Sequence, residues 1–255
     1  MRWPAKTSAR RPDIVLCDDD ALGYRAGRTR FVPGRGFELD EAYRLAHLPL
    51  VAPDHPRVIA RKDGTSYDMG RHDRVVSLVL PVPGKLLSES AAYRALESEL
   101  RASPFAAKVA WDIVDRRRDR LHATVCGQPP PAVDAAHRTA LAAIGPLTVE
   151  LRGLFSGTVN HGRLYLRAYP QKVGDRDGLR EVQRLFGCRE SGLYLVGLYN
   201  LTDDLDSSEA AAFAALIDRW WDRPILRWQA DALWRLGASD DLVLDYDIVE
   251  TIPLC

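Results

Sequence analysis

In the run Arg120-Leu121-His122-Ala123-Thr124-Val125-Cys126-Gly127, a histidine and a threonine stand two residues apart among β-branched and apolar neighbours. Strand alternation sends His122, Thr124 and Cys126 to one face and Leu121, Ala123 and Val125 to the other. An imidazole that exchanges a proton near neutral pH thus points the same way as a hydroxyl able to donate to an anionic oxygen. This is half a site for phosphoryl or acyl chemistry. A second wall is offered by Arg163, Tyr165, Arg167 and Tyr169, which share one face of a strand at spacings of about 7 Å. Guanidinium groups suit phosphate and tyrosine rings stack on nucleobases; the bland alternative is a solvated face. His161 reads as a turn residue, and His72 reaches a cleft only if the chain before it folds over. His47, His55 and His137 read as loop or helix-surface residues. Asp203, Asp204 and Asp206 read as N-capping groups for the helix that follows, not as a cation site.

The elements that must position these groups begin near residue 73. Residues 1–72 lack a sustained apolar period and are broken by Pro, Gly, Arg and Asp, so they read as an irregular extension packing on the core. Within it only Leu39 to Leu48 looks helical, and Trp3, Tyr24, Phe31 and Phe37 are the expected anchors. Val75 to Pro81 reads as a strand, and Ser88 to Leu100 as a helix capped by Ser88. Lys108 to Val114 and Arg120 to Val125 flank a charged turn and predict a hairpin. Helices are then expected over 132–144, 178–186 and 207–221, and strands over 147–155, 163–169 and 192–201. Two closing strands, 225–236 and 242–254, are expected to meet at Ser239-Asp240-Asp241.

Composition removes several classes of function. The 255 residues carry 35 basic and 35 acidic side chains, so the domain-wide positive excess of a nucleic-acid binder is missing. No apolar run approaches the roughly 18 to 20 residues needed to cross a bilayer, and a soluble, cytoplasmic protein is expected. Cys17, Cys126, Cys188 and Cys255 are too far apart for a zinc site or a disulfide framework, and each reads as a small buried hydrophobe or a terminal thiol.

The run from Arg120 to Gly127 resembles the first signature of the two-histidine (2H) phosphoesterase superfamily, which includes RNA 2′-5′ ligase-like proteins and cyclic phosphodiesterases. Pro81-Val82-Pro83-Gly84 after the first strand, the segment Val149 to Phe155 followed by Gly162 to Pro170, and the closing strand pair agree with it. The resemblance spans residues 74 to 255 and lies more in element order than in rare residues. It implies an α+β, two-lobed antiparallel-sheet fold with helices on the outer faces and a central cleft. It further implies a phosphodiesterase acting on a nucleotide or RNA-end phosphodiester, without metal or cofactor. His122 would be the general acid or base and Thr124 the phosphate holder, with Tyr165, Arg167, Tyr194 and Tyr199 binding substrate. The partner would be a small nucleotide or RNA end, not a membrane or extended DNA, and the chain a monomer. The family's second His-x-Thr/Ser motif should fall in Gly192 to Leu201, where there is no histidine. Tyr194 and Val196, or Leu195 and Gly197 in the alternative register, stand in its place. The competing expectation is therefore a degenerate module that binds a phosphorylated ligand without cleaving it.

Overall fold

A computed structural model describes residues 14–174 and 176–255. The elements are α1 (Asp19–Leu22), α2 (Glu41–Ala46), α3 (Leu48–Val51), β1 (Arg71–Pro81), α4 (Gly84–Glu89), α5 (Ala91–Arg101), α6 (Trp111–Arg116), β2 (His122–Cys126), α7 (Ala135–Ile144), β3 (Leu147–Ser156) and β4 (Arg163–Pro170). There follow β5 (Lys172–Val173), β6 (Arg176–Asp177), α8 (Gly178–Leu185), β7 (Leu195–Asn200), α9 (Ser207–Trp220), β8 (Pro224–Ala230), β9 (Ala232–Asp240) and β10 (Tyr246–Pro253). Eight strands form one antiparallel sheet in the order β10-β9-β1-β2-β7-β4-β3-β8, and β5 pairs with β6 alone. The protein is α+β, as its sequence predicts.

One residue shapes this sheet. β8 lies at one end of the order, beside β3, while β9 lies near the other end, between β10 and β1, yet only Asp231 separates them in the chain. A flat sheet would hold those ends several strand widths apart at about 4.8 Å each, so the sheet has to curl until they meet. The Leu254 amide donates to the Asp231 carbonyl at 2.7 Å and ties the end of β10 to the same point. The curl makes a concave surface, with β2 and β7 side by side in its middle.

Helix ends follow side-chain chemistry. Asp206 caps α9 in a reciprocal box with Glu209, and Asp40, Asp134 and Asp177 cap α2, α7 and α8. Beneath α9, Gly153 of β3 has no Cβ because one would overlap the Trp220 carbonyl; its amide instead donates to the Arg223 carbonyl at 3.0 Å.

Several expectations are corrected. Residues 108–125 are not a hairpin: Trp111–Arg116 is the helix α6, and β2 pairs with β1 and β7. Ala110, Ile113, Val114 and Arg117 are all buried, a spacing of three, four and seven that belongs to a helix. The helix expected at Ser88 is two helices, and the cap of the second is Ser90, which accepts the Tyr93 amide at 3.2 Å. The strand expected over 225–236 breaks at Asp231. Cys126 and Cys188, read as separate thiols, form a disulfide with Cα atoms 5.9 Å apart.

The extension is part of the core. Tyr24, Phe37, Leu39, Tyr43 and Leu48 belong to the same buried cluster as the sheet, and Phe31 packs against it. The fully buried Tyr24 hydroxyl donates to the carbonyls of Ala168 (2.7 Å) and Tyr194 (3.1 Å). Trp3 lies outside the described residues. Among those residues no helix is long and apolar enough to cross a membrane.

The Cys126–Cys188 bridge joins β2 to the chain after α8 across a sequence separation of 62 residues. Loop-closure entropy for such a span is about 4 kcal/mol. Urea unfolding of Cys188→Ser should show a loss of that order, and an unchanged midpoint would show that the bridge does not stabilise the fold.

Candidate functional site

The concave face holds a cavity of about 470 Å³ into which alternate residues of five neighbouring strands project. His122 and Thr124 come from β2, Leu195 and Gly197 from β7, and Arg163 and Tyr165 from β4. Val75 and Ser77 of β1 with Leu236 and Ala238 of β9 complete the strand walls. His122 and Thr124 thus share one face and one hollow.

His122 is oriented by its own backbone. Its Nδ1 lies 2.7 Å from the Arg120 carbonyl, so that nitrogen carries the hydrogen and donates it, leaving Nε2 as the acceptor of a residue that lines the cavity. Burial, set against that hydrogen bond and reinforced by the Arg117 and Arg163 guanidinium groups, pushes the imidazole down to about 4. The ring is neutral at pH 7. Thr124 is exposed to the cavity.

Two arginines dominate the field. Arg163 lies along β7 where Gly197 leaves room; any Cβ at 197 would run into its guanidinium. Arg117 is 1% exposed, donates to the Gly197 carbonyl at 2.9 Å, and is pushed down to about 9 by burial and by Arg163. Among the described residues neither forms an ion pair, and the Nε of each is buried without a hydrogen-bond partner. A glycine inside a strand marks a close approach, and here the approaching group is a cation facing a cavity.

The rest of β4 behaves differently. Arg163 and Tyr165 line the cavity, but Arg167 and Tyr169, on the same face, are roofed by α1 and the end of α9. Arg167 donates to Asp19 at 3.1 Å and to the Trp221 carbonyl, and lies 3.6 Å from the Trp221 ring centroid. Tyr169 and the Trp221 indole also donate to Asp19. Arg167 is therefore placed in the core and not in the site. Tyr194 is placed there too, its hydroxyl donating to Asp177 at 3.0 Å, and Tyr199 packs edge-on against Trp111 at 5.7 Å. Of the four residues expected to bind substrate, only Tyr165 reaches the cavity.

The structure adds groups whose sequence context hid them. Ser66 and Tyr67 of the extension line the cavity, as do Asp240 and Asp241, and His72 at the start of β1 joins them, as its sequence position allows once the extension folds over. Tyr67 donates to Asp241 Oδ2 at 2.9 Å, and His72 Nε2 lies 3.4 Å from Asp241 Oδ1. The turn between β9 and β10 folds back over the hollow. Arg120 reaches the Val243 carbonyl at 3.3 Å, and Leu242 packs with Ala110 and Ile113. Val243 holds a φ of 58°, costly for a β-branched residue by about 1–3 kcal/mol. The Asp240 carboxylate secures that turn by accepting the amides of Leu244 and Asp245 at 3.0 and 2.9 Å. Asp203 and Asp204 mostly hold the extension: Asp204 accepts the Leu39 amide at 2.8 Å and pairs with Arg44 and Arg57, while Asp203 lies 3.2 Å from His55. No three His, Cys, Asp or Glu side chains converge as metal ligands would among the described residues.

The depressed His122 has a thermodynamic signature. The unfolded chain takes up the proton from about pH 6.5 and the folded chain only near pH 4, so this contribution to stability is complete above 6.5 and drains between 6.5 and 4. Nitrogen-15 spectra should find the ring neutral with Nδ1 protonated at pH 7 and a midpoint near 4. A midpoint at or above 6.5 would contradict the buried, cation-flanked geometry. Comparison with known proteins finds no family model and no curated protein that matches the chain.

Proposed function

We propose that the cavity binds a phosphodiester of a nucleotide or RNA end, and that the protein is a metal-independent phosphodiesterase. The observation that carries this reading is the convergence of His122, Thr124 and an unpaired Arg163 on one hollow. The sheet order supports the 2H-type arrangement, since β10-β9-β1-β2 and β7-β4-β3-β8 are two four-strand halves meeting at β2 and β7.

Each group has a role that follows from its environment. Arg163 and the Thr124 hydroxyl hold the phosphoryl oxygens, with Arg117 adding positive potential from behind β7. Neutral His122 accepts a proton at Nε2 from the attacking water, which adds to phosphorus as the bond to the leaving oxygen breaks. The resulting imidazolium returns that proton to the leaving oxygen. Bound phosphate helps this cycle, because its negative charge offsets Arg117 and Arg163 and raises the basicity of the ring.

A second reading, ligand binding without cleavage, is favoured by one feature. Leu195 and Gly197 occupy the cavity positions on β7 that face His122 and Thr124 on β2, so β7 supplies no second imidazole as a separate acid. Loss of one partner of an acid–base pair removes about 10²- to 10⁴-fold in rate.

Hydrolysis of 2′,3′-cyclic and 2′-5′-linked nucleotides should be detectable and lost in His122→Ala. Binding without product would select the second reading, and neither would remove both. Arg163→Gln should weaken binding of inorganic phosphate by about 10- to 100-fold, as expected for hydrogen bonds to a charged group. Gly197→Ala should act in the same direction while the melting temperature holds, because the nearest atoms the added methyl meets belong to the movable end of Arg163. Unchanged phosphate affinity in both variants would place the anion elsewhere.

A further inference from the structure

The cavity has two chemically opposite walls. On one, Arg163 carries a positive charge that has no ion-pair partner among the described residues and a buried Nε without a hydrogen bond. On the other stands the Asp241 carboxylate, with Tyr67 and His72 gathered round it. We propose that Tyr67, His72 and Asp241 form a second subsite that holds the non-phosphate half of a small phosphodiester through its hydrogen-bond donors, limiting the site to ligands of mononucleotide size. This rests on the phosphate reading of the Arg163 wall.

The chemistry of the second wall excludes phosphate and invites donors. A carboxylate offers about four acceptor positions. Within the protein Asp241 accepts one hydrogen bond from Tyr67 at 2.9 Å and meets His72 at 3.4 Å, which leaves acceptor capacity facing the hollow. A hydroxyl or exocyclic amine satisfies it; a second anion is repelled. The ligand is thereby oriented, its phosphate against Arg163 and its donor-bearing end against Asp241.

The wall is rigid and its size is informative. The Tyr67 and His72 rings meet edge to face at 5.5 Å, and the loop that carries Tyr67 is closed by bridges between Arg61 and Asp68 and between Asp68 and Arg71. The roof over the hollow is fixed by Asp240 and by the contact of Arg120 with Val243. A volume of about 470 Å³ falls in the range of single-ligand pockets, about 300–1,000 Å³. A polymer end would have to displace the Tyr67 wall or the pinned turn.

Calorimetry on the full chain tests this with 2′,3′-cyclic AMP, inorganic phosphate, and a six-nucleotide RNA ending in the same cyclic phosphate. Asp241→Asn and Tyr67→Ala should each lower affinity for cyclic AMP at least tenfold relative to affinity for phosphate. The oligonucleotide should bind the unaltered protein at least tenfold more weakly than cyclic AMP does. Asp241→Asn keeps the shape of the side chain, so its result stands even if Tyr67→Ala loosens the extension. Cyclic AMP binding that depends on Asp241 but yields no product keeps the subsite and removes the hydrolase. Cyclic AMP binding or turnover indifferent to Asp241→Asn, or equal binding of the oligonucleotide, overturns the subsite. No binding by any phosphodiester overturns both.

Discussion

Two guanidinium groups with no carboxylate partner among the described residues, held against the backbone of one strand, set the physical problem around which the centre of this protein is built. A buried charge is costly unless it is hydrogen-bonded and paired. Arg117 meets only part of that requirement through the Gly197 carbonyl, and its basicity falls as a result. Arg163 reaches the same strand through the gap at Gly197 and keeps an unpartnered Nε. Such a pair raises the energy of the empty protein, and an anion in the hollow lowers it. Stability given up in one place and recovered on binding is the expected mark of a site. The depression of His122 comes first from its burial, and the same two cations add to it by disfavouring an imidazolium.

The rest of the architecture can be read as what holds that field in place and dry. The curl forced by the single-residue link between β8 and β9 makes the strands concave, and the β9–β10 turn and the extension then cover part of the hollow. Asp19 illustrates the economy of this cover. Burial works against its charge, but donors from Tyr169 and Trp221 and the Arg167 guanidinium hold its carboxyl below the usual range. The extension is thereby fixed to β4 by the half of the arginine–tyrosine face that does not line the cavity. One face of one strand serves two ends: its first half meets the hollow and its second half meets α1.

Much of this was legible in the residues, and the failures have physical causes. β1, β3, β4, β7 and α9 follow from periodicity and capping alone. His122 and Thr124 on one face followed from alternation. Residues 108–117 were misread because the four residues packing inward end in an arginine, and an arginine at the last position hides a helical stripe. The break at Asp231 leaves no trace in hydrophobicity, because β8 and β9 both mix buried with more exposed residues and differ in which neighbour they pair with. The Cys126–Cys188 bridge depends on the approach of α8 to β2, a contact between elements 62 residues apart that spacing cannot reveal. Tyr67 and Asp241 were hidden for the same reason: one sits in an irregular segment, the other in a turn, and only folding brings them to one wall.

The two central strands face the hollow with unlike chemistry. On β2 the cavity positions are an imidazole and a hydroxyl; on β7, in register beside it, they are Leu195 and Gly197. Leucine carries no exchangeable proton and adds apolar surface. Glycine opens a space that is filled by a cation from the next strand. Positive charge at a fixed point can take over the holding of a phosphate from a hydroxyl, and does so more strongly. It cannot take over proton delivery near neutral pH, where a guanidinium stays charged. The two strands thus offer the hollow different chemistry, a proton carrier and a hydroxyl from β2 and a fixed positive charge beside β7.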